Sequence, residues 1–388
     1  MNAGTETETE TDDRSARPTV AVGAVPRFAH EAVDAFVADA FTAAGMDPTD
    51  AREAAEFLTL ADLRGVESHG VARLPGYISR LKAGLIDPHA ELTVVREWPS
   101  TLALDAHNGL GLTMGRRAME RTIAKADETG ICLTTVRHSN HFGIAGSYAL
   151  MAAERGHGGM AMTNASRLVV PMFSRVPMLG TNPIAFAVPT GSGRPFILDM
   201  STSTVAWGKI EIARRAGLPI PQGWALDRDG HPTTDPNAVA GLMPLGGPRE
   251  QSGHKGYGLG VMVEVLTAML AGSAWSYDIG RTTSTAGYSS PGGIGHCFLA
   301  WRIDAFRDPA EFAAAMDAMI AELRAAPLAE GAIADGVMVP GDPEAESEAV
   351  NRTQGTPIRA EVLAELAEMA SAVGILPLDH PERGALAG

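Results

Sequence analysis

Residues 91–139 read ELTVVREWPSTLALDAHNGLGLTMGRRAMERTIAKADETGICLTTVRHS, and this stretch decides the fold class. Its first two runs, ELTVVREW and STLALDAH, have the residue content of short strands. The segment MGRRAMERTIAKADETG has apolar residues at helical spacing, and ICLTTVRHS returns to a strand pattern. Strands and a helix that alternate in this way indicate an α/β fold.

The residues before this stretch predict a separate helical unit. In HEAVDAFVADAFTAAG and AREAAEFLTLADLRG the apolar residues recur at helical spacing, and each run ends in a glycine suited to terminating a helix. We expect a helical domain at 26–92, joined by C-terminal helices within 345–380. We expect an α/β domain at 93–344, with strands in GMAMTNA, NPIAFAVP, RPFILDMS and HCFLAWRI, and a hairpin in GWALDRDGHPTTDP.

Composition argues against several classes of protein. The 388 residues carry a formal net charge of −15, from 31 basic and 46 acidic residues, which argues against a nucleic-acid-binding surface. Cys132 and Cys297 are the only cysteines and lack CxxC spacing, so neither a disulfide framework nor a metal site is expected. The same cysteine usage favours a reducing, cytoplasmic location.

Three segments need a separate interpretation. Residues 1–25 are acidic and Thr-rich, which predicts a disordered tail rather than a secretory or transit peptide. The apolar run from Tyr257 approaches membrane-spanning length, but Glu264 and several glycines interrupt it. No membrane span is therefore expected, and a buried core helix is predicted at 255–270. Residues 282–295 are rich in Gly, Ser and Thr and predict a loop.

The stretch ESHGVARLPGY, residues 67–77, is the first candidate site. His69, Arg73 and Tyr77 are spaced by four residues, so on a continuous α-helix they would share one face. An imidazole, a guanidinium and a phenol on one face could hold a carboxylate while one group moves a proton. The alternative is the polar, solvent-facing side of an amphipathic helix.

Helix-breaking residues within this stretch leave two starting points open. Gly70 and Pro75 both weaken a continuous helix. Ser68 could be the N-cap, or Pro75 could open the helix in its first turn. In the second case His69 lies on the entry loop.

The glycines of NGLGLTMG, residues 108–115, allow a nucleotide-binding interpretation. Their G-x-G-x-x-x-G pattern lies between a predicted strand and a predicted helix, as in a dinucleotide fingerprint. The next strand ends in Arg137-His138, which would suit a 2′-phosphate. The irregular order of the downstream segments argues against a Rossmann crossover.

Further segments could present polar groups to a ligand. In HSNHFGIAGSY, His141 follows a strand and could act as an acid, a base or a phosphate contact, although a surface histidine is the alternative. The GTNP and DMS segments could offer backbone N–H groups and hydroxyls to ribose or phosphate, or could be ordinary capping turns. Lys255 precedes a glycine at a predicted helix start, where anions bind readily. The candidates in the GTNP and DMS segments are Thr181, Asn182, Asp199, Met200 and Ser201.

Seven motifs occur in one order along the chain: SHGVARLPGYISRLKAG, SNHFGIAGSYAL, LGTNPIAFAVP, LDMSTSTVAWGKI, GWALDRDGHPTTDP, HKGYGLGVMVEVL and VMVPGD. Together they resemble the malate/L-lactate/L-sulfolactate dehydrogenase family. That family includes ureidoglycolate dehydrogenase, 2,3-diketo-L-gulonate reductase and the Δ1-piperideine-2-carboxylate reductases. The segments RTTSTAGYSSPGGIG and RLVVPMFSRVPM depart from the family pattern, which leaves the shape of the substrate pocket open.

The resemblance implies an oxidoreductase that uses NAD or NADP on a mixed-sheet fold that is not a Rossmann fold. It implies a homodimer whose active site lies in a cleft between a helical unit and an α/β unit. It also implies that His69 or His141 transfers a proton. The residues implied to hold the cofactor are Asp199, Met200 and Ser201, Lys255 and Gly256, and Gly341 and Asp342.

The resulting hypothesis is hydride transfer between C4 of the nicotinamide and C2 of a small 2-oxo or 2-hydroxy acid. Arg73 would grip the substrate carboxylate, with Ser68 and His141 as further substrate contacts. His69 would donate the proton, and Tyr77 would bind the substrate or orient His69. The second hypothesis is reduction of a cyclic imine that carries a carboxylate. A non-enzymatic alternative is a nucleotide-binding protein that has lost turnover.

Overall fold

The structure is a computed structural model that describes residues 25–280, 291–332 and 336–383. The predicted tail therefore lies almost entirely outside the described residues, as does most of the predicted 282–295 loop. The strands are β1 (Arg27–Phe28), β2 (Thr93–Trp98), β3 (Thr101–Asp105), β4 (Ile131–Ser139), β5 (His157–Thr163), β6 (Ile184–Val188), β7 (Phe196–Met200), β8 (Ala225–Leu226), β9 (Pro232–Thr233), β10 (Gly241–Leu242), β11 (Ile294–Arg302) and β12 (Thr356–Pro357). The α-helices are α1 (His30–Ala43), α2 (Pro48–Leu63), α3 (Leu74–Lys82), α4 (Gly111–Thr129), α5 (Gly146–Glu154), α6 (Trp207–Ala216), α7 (Gly253–Glu264), α8 (Pro309–Arg324), α9 (Asp342–Gln354) and α10 (Ala360–Val373).

The main sheet has seven strands in the order β2-β3-β4-β11-β5-β6-β7. Only β3 and β4 are parallel, and α4 makes the crossover between them; the other neighbouring pairs are antiparallel. A Rossmann fold requires a series of parallel strands. The sheet therefore confirms the predicted mixed, non-Rossmann α/β fold. The predicted hairpin is also present, as β8 and β9 with Gly230 in its turn at φ 90°.

Helices cover both faces of this sheet. Met119 of α4 and Tyr148 of α5 lie in one buried cluster with Phe298 of β11. On the opposite face, Val263 of α7 packs with Met162 and Cys297. Burial of apolar side chains on both faces stabilises the sheet, since each square ångström removed from water contributes roughly 25 cal/mol.

A second hydrophobic cluster joins the N-terminal helices to the C-terminal part of the chain. Phe36 of α1, Leu58 of α2 and Leu74 of α3 pack in the same cluster as Leu366 and Met369 of α10. This packing places α10 against the N-terminal helices. The boundaries of the two domains remain a prediction.

The segment from Tyr257 differs from its prediction as a buried core helix. It forms α7 and continues as a π-helical turn at Val265–Met269, and only one side of it is buried. On the other side five apolar residues are between 37% and 58% exposed. In the described part of the chain, no helix has the length and apolar character needed to cross a membrane. The exposed residues are Val261, Met262, Val265, Met269 and Leu270.

Candidate active-site cleft

A cleft with a cavity volume of about 250 Å³ lies between the segment before α3, the loop after β4, the ends of β6 and β7, and the start of α9. Nine residues proposed from the sequence line it, although the segments that carry them are far apart along the chain. They are Ser68, His69, Arg73, His141, Thr181, Asp199, Met200, Ser201 and Gly341.

The segment 67–77 does not form the continuous helix on which the shared face depended. Its first part is two 3-10 turns, at Glu67–His69 and Val71–Arg73, and α3 begins only at Leu74. The prediction of one helical face was therefore wrong, and Ser68 caps none of the helices in the described part of the chain. The structure matches the second starting point, in which Pro75 opens the helix: Pro75 lies in the first turn of α3, and His69 precedes the helix.

The guanidinium of Arg73 is hydrogen-bonded through Nε, while its two terminal nitrogens are free among the described residues. Its Nε donates a hydrogen bond to the Ser68 carbonyl oxygen over 2.7 Å. Within the described ranges, neither of its terminal guanidinium nitrogens has a hydrogen-bond partner. The two terminal nitrogens are thus available to a ligand, and a guanidinium can bind a carboxylate through two parallel hydrogen bonds.

The two histidines suggested by the sequence meet in the cleft. The rings of His69 and His141 are stacked, with centroids 5.5 Å apart and an interplanar angle of 22°. Nδ1 of His69 lies 2.9 Å from the Ser68 hydroxyl. Both imidazoles therefore face the same small space beside Arg73.

Tyr77 contacts His141 and not His69. Its hydroxyl lies 2.5 Å from Nδ1 of His141, and the Gly143 backbone N–H donates to the same Nδ1 over 3.3 Å. Because a backbone N–H can only donate, Nδ1 is the unprotonated nitrogen, and the neutral ring carries its proton on Nε2. Of the two roles expected for Tyr77, orienting His69 does not match this contact, since the Tyr77 hydroxyl is paired with His141; contact with the substrate stays a prediction.

Gly111, within the glycine run of 108–115, lets the start of α4 pack closely against the loop that carries His141. A Cβ on Gly111 would lie 2.2 Å from the Asn140 carbonyl oxygen and 2.4 Å from that of His141. Only glycine lets the start of α4 approach the His141 loop this closely. Arg137, the candidate 2′-phosphate contact, is paired with Asp105 over 2.8 Å. The mixed sheet, in which only β3 and β4 are parallel, excludes the Rossmann crossover.

Burial keeps the cleft imidazoles neutral at pH 7. It lowers the pKa of His69 to about 4, and the charge of Arg73 adds to this effect. The pKa of His141 is also lowered well below its ordinary value, first by burial and then by His69 and Arg73. A carboxylate entering the cleft would favour the charged imidazolium and raise both pKa values.

Asp199 supplies a carboxylate at the other end of the cleft. Its Oδ2 accepts a hydrogen bond from the Gly146 N–H, at the start of α5, over 2.7 Å. Burial raises the pKa of Asp199 to about 6. Arg64 and Glu344 line the same region and were not identified from the sequence. No local motif marks them, because α2 and α9 bring them together from opposite ends of the chain.

Four candidate cofactor contacts do not line the cleft: three that the resemblance implied, and Asn182 from the GTNP segment. Lys255 is exposed on α7, and Gly256 packs against Leu245, whose carbonyl oxygen would be 2.2 Å from an added Cβ. Asp342 is held by Arg194 and Arg324 and accepts a hydrogen bond from the Val339 N–H. Asn182 lies beneath the wall, where its side chain donates to the Gly260 carbonyl oxygen and to Glu264.

Comparison with known proteins gives the family. The family model described as malate/L-lactate dehydrogenase matches residues 28–367. The malate dehydrogenase of Pyrococcus horikoshii is 41% identical over 344 residues, which are 88% of this chain and 93% of that protein. Its solved structure has a TM-score of 0.83 at 37% identity and covers 91% of this chain and 97% of that one.

Two further relatives differ in the reactions that their names describe. The L-sulfolactate dehydrogenase of Methanocaldococcus jannaschii is 36% identical over 87% of this chain and 94% of its own length. A Δ1-pyrroline-2-carboxylate/Δ1-piperideine-2-carboxylate reductase of Pseudomonas putida is 38% identical over 60% of this chain and 68% of its own length. These similarities confirm the resemblance drawn from the seven motifs. The chain belongs to the malate/L-lactate dehydrogenase family of oxidoreductases.

Proposed function

We propose that this protein transfers a hydride between C4 of a nicotinamide cofactor, NAD or NADP, and C2 of a small 2-oxo or 2-hydroxy acid. The observation that carries the proposal is the arrangement of Arg73 beside the stacked His69 and His141 in one cleft. A guanidinium with free terminal nitrogens suits a substrate carboxylate. The imidazole of His141, with the Tyr77 hydroxyl behind it, suits donation of a proton to the C2 oxygen of a 2-oxo acid.

The polar end of the cleft fits the cofactor. Asp199, Ser201 and Thr181 offer a carboxylate and two hydroxyls to the hydroxyls and amide of a nicotinamide nucleotide. Among the described residues, only the Gly146 N–H donates a hydrogen bond to the Asp199 carboxylate, which therefore keeps acceptor capacity for a ligand. The bound cofactor supplies or accepts the hydride, and this chain's residues orient the substrate and manage the proton.

The hydrogen bonds favour His141 over His69 as the proton donor. The Nε2 proton of His141 would pass to the substrate oxygen while Nδ1 takes the hydroxyl proton of Tyr77, so the ring of His141 stays neutral, in keeping with its lowered pKa. The charge then lies on the Tyr77 oxygen, and because burial raises the pKa of Tyr77, this phenolate would regain a proton from solvent through the cleft before the next turnover. His69, stacked on His141, would contact the same substrate, and Ser68 would fix the ring of His69.

Imine reduction is the second candidate, and similarity to the pyrroline/piperideine-carboxylate reductase favours it. A cyclic imine with a neighbouring carboxylate would use the same Arg73 contact. An iminium already carries the positive charge that a ketone gains only by protonation. Imine reduction should therefore depend less on His141 than ketone reduction does.

A homodimer is the proposed assembly. The exposed apolar side of α7 and its π-helical turn would be covered by a second copy of the chain. This helix also carries Glu264, which holds Asn164 and Asn182 behind the cleft wall. An interface there would lie directly behind the proposed cofactor site.

The experiment that tests the function is the oxidation of NADH and NADPH, followed by absorbance, with a panel of 2-oxo acids and cyclic imino acids. The wild-type protein is compared with His141→Ala. Turnover of 2-oxo acids that is lost in the variant supports the proposal. Turnover restricted to imines and little changed in the variant would reassign the protein to imine reduction. Cofactor binding without turnover on either class would favour a protein that has lost its activity.

A further inference from the structure

The structure assigns a positioning role to Asp62, a buried carboxyl group behind the cleft that no part of the proposed mechanism uses. We infer that Asp62 fixes the relative orientation of His69 and Arg73 by holding the backbone that joins their two turns. The inference rests on the proposed function for its effect on turnover, but the contacts themselves do not depend on it.

Asp62 lies at the junction of the two 3-10 turns. It belongs to α2, is 4% exposed, and its Oδ2 accepts a hydrogen bond from the Val71 N–H over 2.7 Å. Val71 is the first residue of the turn that ends in Arg73. The Asp62 carboxyl group thus holds the start of that turn from behind.

Gly70 links the same carboxyl group to the turn that contains His69. A Cβ on Gly70 would lie 2.1 Å from the Asp62 carboxyl carbon and from both of its oxygens. Gly70 has φ −95°, so close contact and not an unusual φ explains why glycine occupies this position. Asp62 therefore packs against Gly70, which follows His69, and accepts a hydrogen bond from Val71, which follows Gly70.

The end of α2 that carries Asp62 is hydrogen-bonded to α9. The Asn351 side chain of α9 donates hydrogen bonds to the backbone carbonyl oxygens of Asp62, over 3.3 Å, and Leu63, over 2.9 Å. Asn351 is buried and also accepts a hydrogen bond from Arg27. The end of α2 is therefore held against α9, whose start lines the cleft. If the two 3-10 turns moved relative to Asp62, His69 and Arg73 would also move relative to the rest of the cleft.

A charge-pairing role does not explain this residue. In the described ranges, no basic side chain forms a salt bridge with Asp62. Burial, together with the nearby Glu67, raises the pKa of Asp62 to about 8. A neutral carboxyl group is close in shape to a carboxamide, so Asp62→Asn keeps an acceptor oxygen for Val71, whereas Asp62→Ala removes it.

The test compares Asp62→Asn and Asp62→Ala in the full chain. Displacement of reacting groups by about 1 Å can reduce turnover about 100-fold. We expect Asp62→Ala to lower kcat about 10- to 100-fold and to raise KM for the carboxylate substrate. We expect Asp62→Asn to stay within about threefold of wild type. The KM for the cofactor should change little in both, because Asp199 lies at the other end of the cleft.

Two companion variants separate positioning from a loss of stability. Thr59→Val removes buried hydrogen bonds one turn earlier in α2, to Ala55 and Asp34, without touching either turn. It should lower the melting temperature and leave kcat and KM unchanged. Gly70→Ala should lower kcat and raise KM as Asp62→Ala does, because the new Cβ would clash with the Asp62 carboxyl group. In the Asp62→Ala background that clash is relieved, so adding Gly70→Ala should cause a smaller further loss of kcat.

Hydrogen exchange gives a readout that does not need the activity. Peptides that cover residues 67–74 should exchange faster in Asp62→Ala than in wild type, Asp62→Asn or Thr59→Val. Unchanged exchange in Asp62→Ala would overturn the inference even if the wild-type protein showed no turnover. An active wild type with Asp62→Ala at normal kcat and KM would overturn it and leave the proposed function standing.

Discussion

The hydroxyl of Tyr77 lies 2.5 Å from Nδ1 of His141, although 64 residues separate the two in the chain. Tyr77 comes from α3 and His141 from the loop after β4, so the contact joins the helical part of the molecule to the sheet. It also connects a buried phenol to an imidazole in the cleft. The distance makes this pair the strongest candidate for moving a proton to a substrate.

Tyr77→Phe tests whether the phenol supplies that proton. Phenylalanine keeps the ring, which contacts Phe41 with centroids 6.2 Å apart, and removes only the hydroxyl. Loss of the proton source should reduce kcat about 100-fold and leave KM nearly unchanged. Steady-state kinetics would check this. A variant with wild-type kcat would show that Tyr77 only packs against His141.

His141→Ala and His69→Ala separate the two imidazoles. Losing a general acid reduces the rate about 10²- to 10⁴-fold, or roughly 3 to 5 kcal/mol of barrier. We expect this loss in His141→Ala and a loss below about tenfold in kcat for His69→Ala. Single-turnover rates with a 2-oxo acid measure both. The reverse pattern would assign the proton transfer to His69.

Arg73→Lys tests carboxylate recognition. Lysine keeps the charge but loses the planar fork and the Nε bond to the Ser68 carbonyl oxygen. The lost charged hydrogen bond should raise KM for the substrate about 10- to 100-fold. The KM for the cofactor serves as the internal control and should not change. An unchanged substrate KM would remove Arg73 from the carboxylate site.

Asp62→Asn should stabilise the protein increasingly as pH rises. The pKa of Asp62 is about 8 in the folded protein and near 3.8 in the unfolded chain, so between these values the folded state holds more protons. Rising pH therefore destabilises the wild type, by up to roughly 1.4 kcal/mol per pH unit between these two pKa values. Asparagine does not titrate. The difference in melting temperature between variant and wild type should grow from pH 4 to about pH 8, and a constant difference would contradict the shift.

Val265→Asp tests the proposed dimer. Val265 is 50% exposed in the centre of the apolar side of α7 and its π-helical turn. A carboxylate there should weaken self-association because a charge would be buried at the interface. Sedimentation velocity would detect the change from dimer to monomer. Leu376→Asp, at 42% exposed and far from α7 in sequence, is the control. A wild type that sediments as a monomer would overturn the proposed dimer.

Local patterns in the sequence predicted many elements of the fold, although not α6 or the short strands β1 and β12. The strand and helix content of residues 91–139 and the Asp229-Gly230 turn depend on neighbouring residues, because backbone propensity and alternation act over a few positions. The motifs also named nine residues that line the cleft, from Ser68 to Gly341. For the segment from Tyr257, the prediction of a helix was confirmed, but the prediction that this helix is buried was wrong because one side of it is exposed.

The tertiary structure alone decided how the site is assembled. Spacing by four suggested that His69, Arg73 and Tyr77 share a face, but Gly70 packs against the Asp62 carboxyl group and the chain forms two tight turns there. The pairing of Tyr77 with His141 has no local signal, and the same holds for Arg64 and Glu344 in the cleft. Such contacts depend on which surfaces pack together across distant segments, and a pattern that extends over a few residues carries no information about that packing.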